Sequence, residues 1–128
     1  MVILFDQFNL PSDVFEIIFA TEQQKIVGKL LINLMKEKGG EIGKSEMSAF
    51  ATALHDGTKL DIEENGEKHK VDISYNKRQF YDRILTPMKS MGIIDYNLYK
   101  KTYKLSEKFS ELMVNIGKMW ERELAKKL

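Results

Sequence analysis

Seven lysines and arginines fall between residues 76 and 104 (Lys77, Arg78, Arg83, Lys89, Lys100, Lys101 and Lys104), against two acids, Asp82 and Asp95. The remainder of the 128-residue chain is close to neutral or acidic: −2 over residues 1–54, −3 over 55–75 and +1 over 105–128. The overall charge of +1 therefore hides one basic segment of +5. A contiguous cationic stretch in an otherwise neutral chain is the footprint expected where phosphates are met. Other chemistries find less support. Residues 61–72, DIEENGEKHKVD, set Asp61, Glu63, Asn65 and Gly66 at the spacing of a calcium-binding loop. Glu63 is too long for its position, however, and Asp72 stands where a bidentate Glu is required. His55 and His69 lack a ligand cluster or a nucleophile at a useful spacing, which suits surface or packing roles. The absence of cysteine excludes disulfides, thiolate catalysis and cysteine zinc sites. With no glycine-rich phosphate loop, paired-carboxylate motif or nucleophile elbow, no enzyme, metal site, cofactor or small-molecule effector is expected.

The elements that must carry the basic segment are legible from periodicity. NLPSDVFEIIFA reads as a short helix capped by Ser12, with Val14, Phe15, Ile18 and Phe19 on its apolar face. Val2–Phe5 is a small apolar patch in need of cover. Thr21 and Gln24 have capping-box spacing and open a helix with Ile26, Val27, Leu30, Leu31, Leu34 and Met35 at helical intervals, stopped by Gly39-Gly40. Glu41-Ile42 supplies one or two strand residues. A third helix begins near Ser45 and carries Met47, Phe50, Ala51 and Leu54. Residues 58–73 form a hairpin about the turn Asn65-Gly66. That centring pairs Lys59 with Asp72, Asp61 with Lys70 and Glu63 with Lys68, and gathers Leu60, Ile62, His69, Val71 and Ile73 on the other face. Asn76 caps the next helix with Gln79 at the box position, and Phe80, Ile84, Met88 and Met91 face inward. Pro87 predicts a kink or an early stop. Two short strands follow, Ile93–Tyr96 and Thr102–Leu105, and Ser106-Glu107 opens a last, long helix.

The order helix, strand, helix, helix, strand, loop, strand resembles the winged helix-turn-helix superfamily of prokaryotic and archaeal transcriptional regulators. The resemblance is closest over FYDRILTPMKSMGIIDYNLYKKTYKLSEKF: the end of a recognition helix, an MGII-x-Y wing strand, a polar loop and a Y-x-L-S-E-K exit. It covers about thirty residues closely and residues 21–54 by element order. The chain departs from the family where the hairpin separates the second and third core helices, usually joined by a tight turn. The resemblance implies an α+β, mostly helical fold: an N-terminal extension (1–20), a winged-helix core (21–105) with hairpin insert 58–73, and a C-terminal helix (106–128) in one domain.

It further implies that helix 76–91 enters the major groove and that the wing, 93–105, reaches the backbone. A helical wheel from Phe80 places Arg78, Gln79, Asp82, Thr86 and Lys89 opposite the core, with Arg83 on the flank. Arg and Gln offer the bidentate donors that base edges take. Asn76, Lys77, Arg78, Gln79, Arg83, Thr86, Lys89, Asn97, Tyr99, Lys100, Lys101 and Lys104 are the expected DNA-binding residues. The last helix turns Phe109, Leu112, Met113, Ile116, Met119, Trp120 and Leu124 inward, to cover the domain's own core or to cross to a second copy. Phe109, Met113, Ile116 and Trp120 are its expected dimerisation residues, since symmetric sites are read by two-fold dimers. MVILFDQ lacks the features of a signal peptide, and no apolar run spans a membrane. The reading is a cytoplasmic, homodimeric protein that binds double-stranded DNA with sequence specificity. The alternative is a winged helix used for protein association in a transcription or replication assembly.

Overall fold

The computed structural model describes residues 5–64 and 66–127, and the backbone alone of residues 60–64 and 71. The apolar residues Val2, Ile3 and Leu4 and the turn residue Asn65 lie outside the described residues. The order of elements is α1 (Val14–Ile18), α2 (Glu22–Glu37), β1 (Glu41–Gly43), α3 (Lys44–Asp56), β2 (Thr58–Glu64), β3 (Glu67–Ile73) and α4 (Lys77–Phe80). A π turn (Tyr81–Leu85) carries α4 into α5 (Thr86–Ser90), followed by β4 (Ile94–Asn97), β5 (Thr102–Leu105) and α6 (Lys108–Ala125). The fold is thus α+β, with a three-stranded antiparallel sheet in the order β1-β5-β4 and a separate two-stranded sheet, β2-β3.

Local rules place most of these boundaries. Thr21 Oγ1 accepts the Gln24 amide at 3.1 Å, and Asn76 Oδ1 accepts that of Gln79 at 3.1 Å, so both expected caps form. At α1 the cap is Asp13 rather than Ser12. Its carboxylate accepts the Phe15 amide and also pairs with Lys29 on α2, a contact Ser12 cannot make. Helices α2 and α5 end alike: Gly40 N–H reaches Met35 O and Gly39 N–H reaches Lys36 O, while Ile93 N–H reaches Met88 O and Gly92 N–H reaches Lys89 O. Both are Schellman caps, which need the left-handed backbone of Gly39 and Gly92 (φ 80° at each).

Pro87 neither stops nor simply kinks its helix. The Thr86 amide bonds back to Tyr81 O, five residues away, so the helix widens by one residue just before the proline. The widening gives the pyrrolidine ring room at the Arg83 carbonyl. It also rotates Leu85 into the core, where it is buried. On a regular wheel Leu85 lies about 140° from Phe80, on the outer side. Met91, expected to be buried, is half-exposed.

The core is built from Val27, Leu31 and Met35 of α2, Met47, Ala51 and Leu54 of α3, and Phe80, Ile84, Leu85 and Met88 of the α4–α5 helix. Ile42, Ile94 and Tyr103 close it from the sheet. Phe80 meets Phe50 and Tyr81 edge-on, with ring centroids 5.5 and 5.4 Å away. Among the described residues no α6 side chain joins this core: Phe109 is partly buried, and Leu112, Met113, Ile116, Met119, Trp120 and Leu124 are exposed, a correction to the inward-facing helix expected from its pattern. The physical reason is that α2, α3, α4–α5 and the sheet already enclose the core. Among the described residues, the hydrogen bonds that tie α6 to the body lie in its first turn, the Phe109 amide on Gly92 O and Lys108 on Asp95.

The insert keeps its expected register, with Lys59 opposite Asp72, Asp61 opposite Lys70 and Glu63 opposite Lys68. His69 is exposed, its Nε2 3.5 Å from Glu67. Because Thr58 and Ile73 are paired, the hairpin leaves and rejoins the body at one place. The Tyr75 amide then bonds Leu54 O, and His55 Nδ1 accepts the Lys77 amide. The excursion therefore costs the α3–α4 junction no separation. Among the described residues, no helix is long and apolar enough to cross a membrane.

Two outcomes test this packing. A Cβ at Gly92 would lie 3.0 Å from Lys108 Cβ and from the Phe109 amide nitrogen, in addition to the strain of its positive φ. Gly92→Ala should cost about 2–3 kcal/mol, read as a Tm roughly 5–10 °C lower. The Lys29 ammonium bonded to Asp13 holds that carboxyl below the usual range. Its stabilisation is complete above the unfolded-state value of about 3.9 and is lost as pH falls through the lower folded value. Asp13→Asn should remove that part of the acid limb in melts taken below about pH 5 and leave its shape unchanged nearer neutrality.

Candidate nucleic-acid interface

The outward face of α4–α5 carries Arg78, Gln79, Asp82, Arg83, Thr86 and Lys89, all exposed. Arg78 Nε lies 3.8 Å from Asp82 Oδ2 with both side chains well solvated, a pair worth a few tenths of a kcal/mol at most. The guanidinium is thus free to exchange this partner for a better acceptor. Lys89 Nζ sits 5.8 Å from the Tyr96 ring centroid, which links the end of the helix to β4. Asn76 is committed to its cap. Lys77 turns toward α3, its Nζ 2.9 Å from Thr52 Oγ1 and 3.4 Å from Ser48 Oγ.

The loop between β4 and β5 is firmly built. Asn97 Oδ1 accepts the amides of Tyr99 and Lys100, each at 3.0 Å, and the Lys101 amide closes the turn on Asn97 O. This turn puts Lys101 at φ 54°, a left-handed conformation that costs a residue with a side chain about 1 kcal/mol or more. The geometry leaves Tyr99 almost wholly exposed, beside Leu98, Lys100 and Lys101. Asn97 is therefore spent on shaping the tip.

Sequence reasoning missed the ground on which this tip rests. The Lys44 amide donates to Lys101 O, fastening the first residue of α3 to the loop. Gly43, Lys44, Ser45 and Ser48 then line one shallow depression with Lys100, Lys101 and Thr102. Gly43 occupies the cap position of α3 beside this depression and has no side chain to bond the first-turn amides, of which that of Lys44 goes to Lys101 O. The Glu46 carboxylate sits at its edge, on the Gly43 amide. Since Ser48 also meets Lys77, the cationic strip runs from the loop across α3 to the start of α4. Its signal in the sequence is Gly-Lys-Ser placed where a short strand turns directly into a helix.

Lys104 falls elsewhere. In register it lies opposite both Glu41 on β1 and Asp95 on β4, on the sheet's outer face. Asp95 also holds Lys108 at 2.8 Å, and Glu107 and Glu111 line the same depression. Folding thereby divides the basic segment, leaving Lys104 among carboxylates. On the inner face, burial beside Tyr96 and Tyr81 raises the pKa of the Tyr103 phenol. Among the described residues, no group of three His, Asp or Glu side chains could hold a metal ion. Comparison with protein-family models, with curated proteins and with solved structures gives no match.

Thr102 Oγ1 is buried beside the cationic strip and has no hydrogen-bond partner among the described residues. Such an orphan costs on the order of 1–3 kcal/mol, so Thr102→Val should raise the Tm of the free protein by a few degrees. A lower Tm would mean that the hydroxyl is satisfied in solution.

Proposed function

We propose that the chain is a winged helix-turn-helix protein that binds double-stranded DNA with sequence specificity, as a transcriptional regulator. The order of the elements, with β4–β5 paired through β5 onto β1, supports that fold. In this reading Arg78, Gln79 and Arg83 face base edges, where their paired donors suit guanine and adenine. The wing tip and the start of α3, which share one depression, hold backbone phosphates beside the reading helix.

The observation that carries the proposal is the convergence of Lys44, Lys100 and Lys101 on one depression at the start of α3. The Ser48–Lys77 contact extends this strip to the helix that presents the arginines. Backbone-binding cations and base-reading donors thus belong to one packed unit. Asn76, Asn97 and Lys77 act indirectly, by setting the backbone or the strip that the exposed residues use. Lys104 contributes little, because its carboxylate neighbours offset its field.

Fluorescence anisotropy with labelled duplex tests the assignment. With about five phosphates neutralised, affinity should fall several-hundred-fold between about 50 and 200 mM salt. The double variant Lys100→Glu/Lys101→Glu should abolish binding at about 100 mM salt, where the Debye length is about 10 Å, whereas Lys104→Ala should change it by roughly threefold or less. Arg78→Ala should flatten the preference among sequences by about 1–3 kcal/mol. A salt-independent affinity, or a charge-reversed wing that still binds DNA, would remove the phosphate assignment and leave protein association as the better account.

A further inference from the structure

Helix α6 runs for 18 residues and none of them is buried. At about 1.5 Å per residue it extends roughly 27 Å, anchored at its first turn. Its apolar residues are not scattered. Phe109, Leu112, Met113, Ile116, Met119, Trp120 and Leu124 recur at steps of three and four, so they share one face. Trp120 is 62% exposed, Met119 57% and Leu124 65%. Together the stripe offers on the order of 600 Å² of apolar surface, the upper end of what a monomer leaves open and most of the roughly 800 Å² each partner gives to a standard interface.

We infer that this face is the interface between two copies of the chain, with the two α6 helices packed antiparallel across a two-fold axis near Ile116 and Gly117. Two features bear on that orientation. Antiparallel packing opposes the two helix dipoles and lays the whole stripe of each copy against that of the other across the axis. The second feature is Gly117. It lies at the middle of α6 beside the apolar stripe, where a Cβ would meet no atom within 4 Å. A mid-helix glycine destabilises its helix relative to alanine, and no described residue packs against this one. At the crossing point of two helices it lets the backbones approach. A bilayer is a poorer occupant, because the polar face mixes Glu111 and Glu121 with Lys118 and Arg122 instead of presenting a cationic surface.

The inference rests on α6 alone and stands or falls independently of the DNA reading. Light scattering during gel filtration at about 50 μM, well above a sub-micromolar Kd, should give twice the chain mass of 14.9 kDa. Ile116→Glu/Trp120→Glu should give the single mass while keeping the body's thermal transition, since neither side chain is part of the core. The chain has no cysteine, so single cysteines report orientation directly. Ile116→Cys, beside the axis, should cross-link under oxidation, whereas Leu124→Cys, far from its own copy, should not. Gly117→Leu should weaken the dimer about tenfold or more although leucine favours the helix by nearly 1 kcal/mol. A monomeric wild type at that concentration, a double variant that remains dimeric, or efficient cross-linking through Leu124→Cys would each overturn the inference. Binding of wild-type monomer to anionic phosphatidylserine vesicles would do the same.

Discussion

Three elements converge on Gly92, and the arrangement of the basic surface depends on that convergence. Its left-handed backbone ends α5 in a Schellman cap and releases the chain into β4, while its carbonyl receives the first turn of α6. The Ser106 amide adds a bond to Ile93 O, so the exit from β5 is fixed one residue away. Helix, strand pair and final helix are thus aligned through a few backbone hydrogen bonds around a position with no space for a side chain. Once β4 is aimed from this point, pairing with β5 and of β5 with β1 decides where the loop at residues 98–101 arrives. The Lys44–Lys101 bond records that arrival at the start of α3.

Pro87 acts on the same helix from within. Its missing donor and bulky ring are accommodated by one widened turn, which keeps the helix continuous and admits Leu85 to the core. The outer face remains open from Arg78 to Lys89 as a result. A regular wheel places the exposed residues well but misses Leu85, because it assumes a constant pitch. The hairpin insert is the opposite case. Its alternating charges specify its own register, and its paired ends, Thr58 and Ile73, make it nearly invisible to the helices it separates. His55 then serves the junction by accepting the Lys77 amide, a role that no spacing rule suggests for an isolated histidine.

Charge shows a similar division. Seven cations in a run of residues announce a basic segment, but cross-strand pairing puts Lys104 between Glu41 and Asp95 and sets Lys100 and Lys101 beside Lys44. Lys44 lies more than fifty residues earlier in the chain, within a segment of net negative charge. Net charge along a sequence averages over neighbours that folding separates. The field that a phosphate meets depends instead on which side chains share a surface.

What the sequence determined by itself were the features governed by neighbours in the chain. The Thr21 and Asn76 caps, the glycine stops at Gly39 and Gly92, the wing strands (expected at 93–96 and 102–105, found at 94–97 and 102–105) and the hairpin register all follow from local hydrogen bonding and backbone sterics. The amphipathic pattern of α6 was equally plain, but periodicity reports that a face is apolar and not what covers it. Tertiary structure alone decided that the core closes without α6, that the π turn buries Leu85, and that Lys44 and Ser48 join the loop lysines. Each of these depends on distances between residues remote in sequence, set by how rigid elements fill a common volume, and no local spacing encodes such distances.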